Sequence, residues 1–264
     1  FGGEFCILSE IATIASGITT GGDKFYVYSD NKPSLPDIPD EKVISDEEIE
    51  EIRANRDLKR RIIRTGIDSE MFEGRTLVPY DKPTTMEEDS VLMFKQPERA
   101  FFIDWSETSV SQLRNFTIAD NKRRSNPDYV GSASENKKKG AQVRNDRLYF
   151  SEGIAYSQYG EKAPQFWPSH GTVFAKAACL IISDNVPMNQ LLCLLGSHPF
   201  RFIAKAFYGN MSNQTVGSLQ ETPVPLDFSI DSDVANELIR RANSDEFGEE
   251  ADEYWRQVSA SIGE

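Results

Sequence analysis

Histidine, cysteine and long apolar runs are all scarce in this sequence of 264 residues. Two histidines, His170 and His198, are too few for a zinc site or a Ser-His-Asp hydrolase with ordinary partners. No apolar stretch reaches the roughly 20 residues that cross a bilayer, so we expect no membrane partner. Of the three cysteines, Cys179 and Cys193 lie in apolar runs, and none has metal-ligand spacing. Reduced, buried thiols of this kind predict a cytoplasmic protein.

Positive charge is also in short supply: 29 lysines and arginines face 42 aspartates and glutamates, and the formal net charge is −13. Taken alone, this balance argues against nucleic acid, because phosphate binding requires basic side chains. The charge is unevenly distributed, however. From Arg114 to Arg147, the basic window, nine basic residues face four acidic ones and leave a surplus of +5. The acidic excess lies in residues 37–51, 87–89 and 227–264.

Apolar periodicity and turn residues predict a mixed α+β protein, with twisted sheets and helices packed on one side. The predicted strands are residues 24–28, 76–80, 91–94, 100–105, 147–150, 153–156, 171–174 and 178–182. Ser45 and Glu48 form a capping-box pattern that opens a charged helix to about Arg64, and Gly66 is its expected stop. Trp105 is expected in the core.

Two amphipathic helices are predicted near the C-terminal end, one starting at Pro187 and one at Pro199. The segment Thr222–Pro225 is expected to end the ordered core, and residues 232–264 look helical and acidic. We therefore expect one domain over residues 1–228 and an acidic helical tail, or the start of a following segment, over 229–264.

The polar residues 119–146 are predicted to form a long mobile loop, which in a compact domain is usually functional or disordered. Its cations can contact phosphates, and the alternative is a solvated loop, the commoner meaning of a charge run. The candidate phosphate-binding residues are Lys137, Lys138, Lys139, Arg144 and Arg147.

Residues 153–160 combine hydroxyl, amide and aromatic groups between glycines, and such groups can read base edges or stack on bases. The alternative is a β-turn with ordinary surface polar groups. The candidate base-proximal residues are Tyr156, Ser157, Gln158 and Tyr159.

Two further patterns are weaker. The glycine turn, Gly17–Gly22, can cradle a phosphate through its N–H groups, but it lacks the Lys-Ser/Thr of a P-loop, which favours a tight turn before a strand. Asn126-Pro127-Asp128-Tyr129 has some likeness to the Asn/Asp-Pro-Pro-Tyr loop of amino-methyltransferases. Because the second proline and a preceding apolar strand are both missing, we interpret that likeness as coincidence.

Four stretches carry a family resemblance through their order along the chain. They are Ser16–Phe25 with the glycine turn, Leu77–Lys82, Arg147–Ser157 with its Gly-Ile-Ala-Tyr-Ser strand, and Leu191–Pro225 with its Thr-Pro-Val-Pro ending. In this order they resemble the C-terminal specificity region of adenine-specific DNA methyltransferases. These are the single-chain type IIG restriction-modification enzymes, and related phage-defence methyltransferases, with a TaqI-like specificity domain.

The resemblance implies a DNA target-recognition domain of a bacterial, cytoplasmic protein, with double-stranded DNA and the catalytic methyltransferase domain of the same parent chain as partners. Catalytic and cofactor motifs are absent from this sequence, so the resemblance implies no enzyme activity and no cofactor here, and S-adenosylmethionine in the parent. The chain opens at Phe1, and we expect the catalytic domain upstream of it. Two alternatives stay open: a protein-interaction module that docks a methyltransferase or restriction partner, and a small enzyme in its own right.

Overall fold

The computed structural model describes residues 4–82, 99–158, 165–208, 215–226, 228 and 230–243. In these ranges the chain is mixed α+β, as the apolar periodicity predicts. The strands are β1 (Phe5–Ile7), β2 (Thr13–Ala15), β3 (Val27–Tyr28), β4 (Leu77–Asp81), β5 (Phe102–Asp104), β6 (Ile154–Ser157), β7 (Phe166–Pro168), β8 (Val173–Phe174), β9 (Ala178–Ile182) and β10 (Pro223–Pro225). The strand predicted at 91–94 lies outside the described residues.

Helices lie between and after these strands along the chain. They are α1 (Leu8–Ile11), α2 (Asp46–Ala54), α3 (Arg56–Thr65), α4 (Glu107–Asn115), α5 (Ile118–Arg123), α6 (Met188–Gly196), α7 (His198–Tyr208), α8 (Val216–Gln220) and α9 (Ser232–Asn243). Among the described residues, none of the helices combines the length and the apolar character that a membrane span requires.

Strand pairing joins distant parts of the chain into two four-stranded sheets. The first has the order β2-β9-β6-β7 and is antiparallel throughout. The second has the order β3-β5-β4-β8, in which β4 and β8 run parallel. A separate antiparallel pair joins β1 to β10. Since β8 and β9 are consecutive but belong to different sheets, the segment between them connects the two halves of the fold.

The described residues form two apolar cores, and β9 of the first sheet contributes side chains to both. The first sheet packs against α6, α7 and α9 through Ile154, Leu191, Phe200 and Leu238, among others. The second core gathers apolar residues of α2, α3, α4 and β8 around Trp105, whose indole N–H donates to the Ile62 carbonyl at 3.0 Å. The prediction that Trp105 lies in the core is confirmed, since its side chain is fully buried.

The charged helix predicted from Ser45 to Arg64 begins where expected but is broken in the middle. The capping box of Ser45 and Glu48 is present, and Gly66 ends the helical segment with a φ of 93°. Between them Asn55 leaves the helical conformation and accepts hydrogen bonds from the next turn, so that it caps α3. One predicted helix is therefore two, because an asparagine side chain competes with the helix for backbone N–H groups.

The strand predicted over Arg147–Phe150 is wrong. Residues 146–148 form a single 3-10 turn, and Phe150 has a φ of 56°. The amide of Phe150 donates to the Thr172 carbonyl at 2.9 Å, and its carbonyl accepts from Lys59 Nζ at 2.8 Å. Burial lowers the pKa of Lys59. These tertiary contacts hold a conformation that the strand propensity of Leu-Tyr-Phe does not favour.

The ordered core extends past the end predicted for it. Residues Pro223–Pro225 form β10, which pairs with β1, as a continuation of the core. Beyond it, Ile230 and the α9 residues Ala235 and Leu238 are buried in the first core. The apolar side of α9 therefore contributes to packing, and the described part of the acidic tail is not a detached segment.

Candidate nucleic-acid interface

The basic window is built largely as a loop held by side chains, and the loop predicted over residues 119–146 is wrong only at its start, where residues 119–123 lie in helix α5. Its first part is helix α5, and the rest is held by side chains. The Tyr129 hydroxyl donates to Glu135 Oε2 at 2.9 Å, and Lys122 Nζ lies 2.5 Å from Glu135 Oε1. The hydrogen bond from Lys122 is the main reason that the pKa of Glu135 falls to about 2, so this carboxylate is charged at neutral pH.

Salt bridges divide the nine cations of the basic window into two groups. Three are paired inside the window, as Arg114–Asp146, Lys122–Glu135 and Arg123–Asp120, at 2.8, 2.5 and 2.8 Å. The others make no salt bridge to a carboxylate among the described residues: Arg124, Lys137, Lys138, Lys139, Arg144 and Arg147. The positive surplus is therefore carried by partly or fully exposed side chains, available to an anionic partner.

The glycine turn connects the basic window to the strand-joining segment between β8 and β9. Thr19 and Gln142 exchange backbone hydrogen bonds of 3.1 and 2.8 Å. On the other side, the Ile18 amide donates to the Phe174 carbonyl at 2.9 Å, and the Lys176 amide donates to the Ile18 carbonyl at 2.8 Å. The turn is thus packed between two segments that are distant in sequence, and its backbone hydrogen bonds join the basic window to residues 174–176.

Only glycine fits at residue 21 of the glycine turn. Gly21 has a φ of 71°, and a Cβ atom there would lie 1.9 Å from the Gly140 carbonyl oxygen. The expectation of a tight turn is consistent with this packing, and residue 21 has the left-handed backbone that glycine adopts at least cost.

The end of β6 reaches the same surface from the other sheet. The backbone amide of Gln158 donates to the Ala177 carbonyl at 2.9 Å, and Ser157 is the strand partner of Ala178. Residues 157–158 therefore lie against the segment that also contacts the glycine turn. Two groups of candidate residues, 137–147 and 157–158, are therefore connected by backbone hydrogen bonds through the glycine turn and residues 174–178, although they are separate in sequence.

The structure separates the candidate base-proximal residues by burial. Tyr156 is fully buried, with its ring 6.0 Å from that of Phe166, so it belongs to the first core and not to this surface. Gln158 is 8% exposed and its amide donates to Cys179 Sγ at 3.0 Å, which makes it a support for the surface. Ser157 is partly exposed at the rim, and Tyr159 lies outside the described residues.

Three exposed cations were missed by the sequence reasoning: Lys24, Arg124 and Lys176. Lys24 follows the glycine turn and donates to Ser125 Oγ at 2.7 Å, which places it beside the basic window. Arg124 lies in the window but carried no separate signal. Lys176 is an isolated lysine between two apolar strands, and nothing in the sequence distinguishes it from a solvated connector.

Asp23, the acidic residue that follows the glycine turn, does not oppose an anion. Asp23 accepts hydrogen bonds from the Thr20 hydroxyl and from Lys82 Nζ. Burial raises the pKa of this carboxyl group, but the two hydrogen bonds and the charge of Lys82 outweigh it and the pKa is lowered. Asp23 is therefore ionised and neutralised by Lys82, so the turn as a whole adds no net negative charge.

A cleft of about 340 Å³ lies away from this surface, between α2 and the β7–β8 connection. Arg53 crosses it, bonding to the carbonyls of His170 and Gly171 at 3.1 and 2.9 Å and to carboxylates on both sides. Beneath it, the buried Asp81 accepts from the Ser169 hydroxyl at 2.6 Å. Its charged groups are used to join α2 to the sheet, so this cleft has a structural role.

We expect the free energy of unfolding to fall as the pH drops below the usual histidine value of 6.5, because burial lowers the pKa of His170 and the charged form is disfavoured in the fold. Asp81 has the opposite effect on stability. Burial raises its pKa, so its contribution to the free energy of unfolding is greatest below the ordinary aspartate pKa of 3.8 and declines as the pH rises. Arg99 and Asp46 also face the imidazole.

Urea unfolding of the wild type and of His170→Gln, between about pH 5 and 7, separates the two groups. The stability advantage of the wild type should shrink toward low pH. An advantage that stays constant over this range would contradict the prediction.

A scan against protein-family models finds no matching family, and a search of curated proteins finds no relative.

Proposed function

We propose that this chain recognises the DNA target of a bacterial restriction-modification methyltransferase that methylates adenine at N6. The observation that carries the proposal is the surface on which six cations without a carboxylate partner are joined, through the glycine turn, to the rim residue Ser157. Cations supply sequence-independent affinity for phosphates, and nearby polar groups supply base readout. A protein that recognises a DNA sequence needs phosphate-binding cations and base-contacting polar groups on the same surface.

The mixed α+β fold is compatible with a target-recognition domain, and the ordered stretches that resemble the family support it. In this proposal the chain has no catalytic residues and holds no cofactor. The catalytic domain of the parent chain flips the adenine and methylates it from S-adenosylmethionine, in the bacterial cytoplasm. Because the net charge of this chain is −13, the duplex is expected to be held jointly with the catalytic domain.

Methylated-adenine mapping in cells that carry the complete gene tests the proposal. A variant with all of residues 153–160 exchanged is unsuitable, because Tyr156 is in the core and a Cβ at Gly153 would lie 2.6 Å from Leu180 Cδ1. The sharper variant is Ser157→Asn, with Ser34→Ala in an exposed loop as control.

We expect Ser157→Asn to change the preference at one position of the methylated motif and Ser34→Ala to leave it unchanged, since loss of a base contact acts on one position. An unchanged motif from a folded Ser157→Asn protein would remove Ser157 from the set of base-proximal residues. Absence of adenine methylation from an intact, expressed wild type would reject the proposed function.

A second candidate function is an interaction module that docks a methyltransferase or restriction partner. The observation in its favour is the segment 37–51, in which seven of the eight acidic side chains are exposed and one basic residue is present. Binding to a basic protein surface that is insensitive to added DNA would favour this candidate over DNA recognition.

A further inference from the structure

Arg124 is held differently from every other free cation of the basic window. Its guanidinium carbon lies 4.1 Å from the centroid of the Phe25 ring and 4.9 Å from that of Tyr26. The two rings are nearly perpendicular, at 77°, so the guanidinium is seated on an aromatic corner. Its residue is exposed, and it makes no salt bridge among the described residues. The side chain therefore keeps its charge while losing much of its rotational freedom.

The aromatic corner is itself fixed from both sides. Tyr26 is fully buried, and its hydroxyl donates to Asn121 Oδ1 at 3.4 Å. Next to it, Lys24 Nζ donates to Ser125 Oγ at 2.7 Å. These contacts join the segment after the glycine turn to the end of α5 on each side of Arg124. The guanidinium is consequently oriented before any partner arrives.

Arg123, the neighbouring arginine, is held by hydrogen bonds inside the fold, unlike Arg124. Arg123 donates to Asp120, to the carbonyls of Tyr129 and Val130, and to Asn136, all within 3.0 Å. Its donors are used inside the fold to hold the loop. The Arg124 guanidinium contacts the faces of Phe25 and Tyr26, which leaves its N–H groups for a partner.

Phosphate binding does not require such a seat. A phosphate attracts any nearby cation, and Lys137 and Lys138 supply that charge from exposed positions with no aromatic contact in the described part of the chain. A guanidinium whose plane is fixed is suited to a bidentate contact, and the base edge that accepts two parallel hydrogen bonds from arginine is the O6 and N7 edge of guanine. The aromatic seat of Arg124 is therefore better explained by base readout than by charge alone.

We infer that Arg124, seated on Phe25 and Tyr26, is a specificity-determining residue that recognises the guanine of one G·C pair in the DNA target. The inference rests on the proposed function and goes beyond it by naming the residue, the base and the bidentate contact. Phe25 and Tyr26 act as positioning residues, which touch the arginine and not the DNA.

The test is methylated-adenine mapping with the complete gene in the wild type, Arg124→Lys and Phe25→Leu, with Arg147→Lys as matched control. Arg147 is exposed and has no aromatic contact, so lysine can replace it as a phosphate ligand. Arg124→Lys keeps the positive charge but loses the two parallel N–H donors of the guanidinium. We therefore expect the preference for G·C at one motif position to fall about 5- to 150-fold. Phe25→Leu, which keeps the arginine, should relax the same position by less.

Each outcome has one reading. Relaxation at a single G·C position in Arg124→Lys, with Arg147→Lys unaffected, supports the inference. A motif unchanged in a folded Arg124→Lys protein would overturn the inference while leaving the proposed function intact, because lysine can replace arginine as a phosphate ligand but not in a bidentate contact with guanine. No methylation by the wild type would overturn both. Thermal unfolding of each variant confirms that the exposed substitutions leave the fold in place.

Discussion

Replacing Lys137, Lys138 and Lys139 together by glutamine is expected to reduce the affinity of the complete gene product for duplex DNA by roughly 10²- to 10³-fold at about 0.1 M salt. The three side chains are exposed and make no salt bridge among the described residues, so each is available to a phosphate. Each phosphate contact contributes about 0.9 to the slope of log affinity against log salt, so the slope should fall by about 2.7.

The measurement is fluorescence anisotropy with labelled duplexes between about 50 and 200 mM salt. The matched control removes three exposed arginines from one side of α3, as Arg56→Gln, Arg60→Gln and Arg64→Gln, and changes the net charge by the same amount. We expect a much smaller loss there. Equal losses in the two triple variants would show that binding follows total charge, which would contradict a phosphate contact at residues 137–139.

Gly21→Ala is expected to lower the free energy of unfolding by roughly 2–5 kcal/mol. The new Cβ would lie 1.9 Å from the Gly140 carbonyl oxygen, so a backbone segment must move, and the φ of 71° is itself unfavourable for alanine. Since domains of this kind are stable by only about 5–15 kcal/mol, this is a large fraction of the total. The same movement separates the glycine turn from residues 140–142 and should weaken DNA binding.

Urea denaturation measures the effect, with Gly217→Ala as the control. Gly217 is in α8, where a Cβ would meet its nearest atom, Thr215 Oγ1, at 3.9 Å, so alanine should be neutral or slightly stabilising. If Gly21→Ala unfolded within about 0.5 kcal/mol of the wild type, the packing of the glycine turn on Gly140 would be disproved.

Local signals predicted much of the secondary structure, and the errors have identifiable causes. The capping box at Ser45 and the stop at Gly66 depend on neighbours within four residues, and both are confirmed. The division of that helix at Asn55 also had a local signal, because asparagine is a strong N-cap residue, but a continuous charged pattern concealed it. The strand predicted at 147–150 failed because contacts to Lys59 and Thr172 override its propensity.

The candidate surface could not be predicted in the same way. Its cations were visible as a charge run, but their division into paired and free ones depends on which carboxylate each one meets in the fold. The connection through the glycine turn depends on backbone hydrogen bonds between Ile18 and Phe174 and between Thr19 and Gln142. Pairings between residues more than 100 positions apart leave no periodic pattern in the sequence. Tyr156 shows the same limit, since an aromatic residue in a polar motif is equally compatible with burial.

The pairing of β1 with β10 determines when these two strands can form during synthesis. β1 finds its partner only in Pro223–Pro225, and β2 pairs with residues 180–182. Both leave the ribosome long before their partners do, and closing so long a loop carries an entropic cost that slows folding. In that interval Leu8 and Ile14, buried in the finished protein, expose apolar surface. Until residues 180–182 and 223–225 emerge, that apolar surface is open to wrong association.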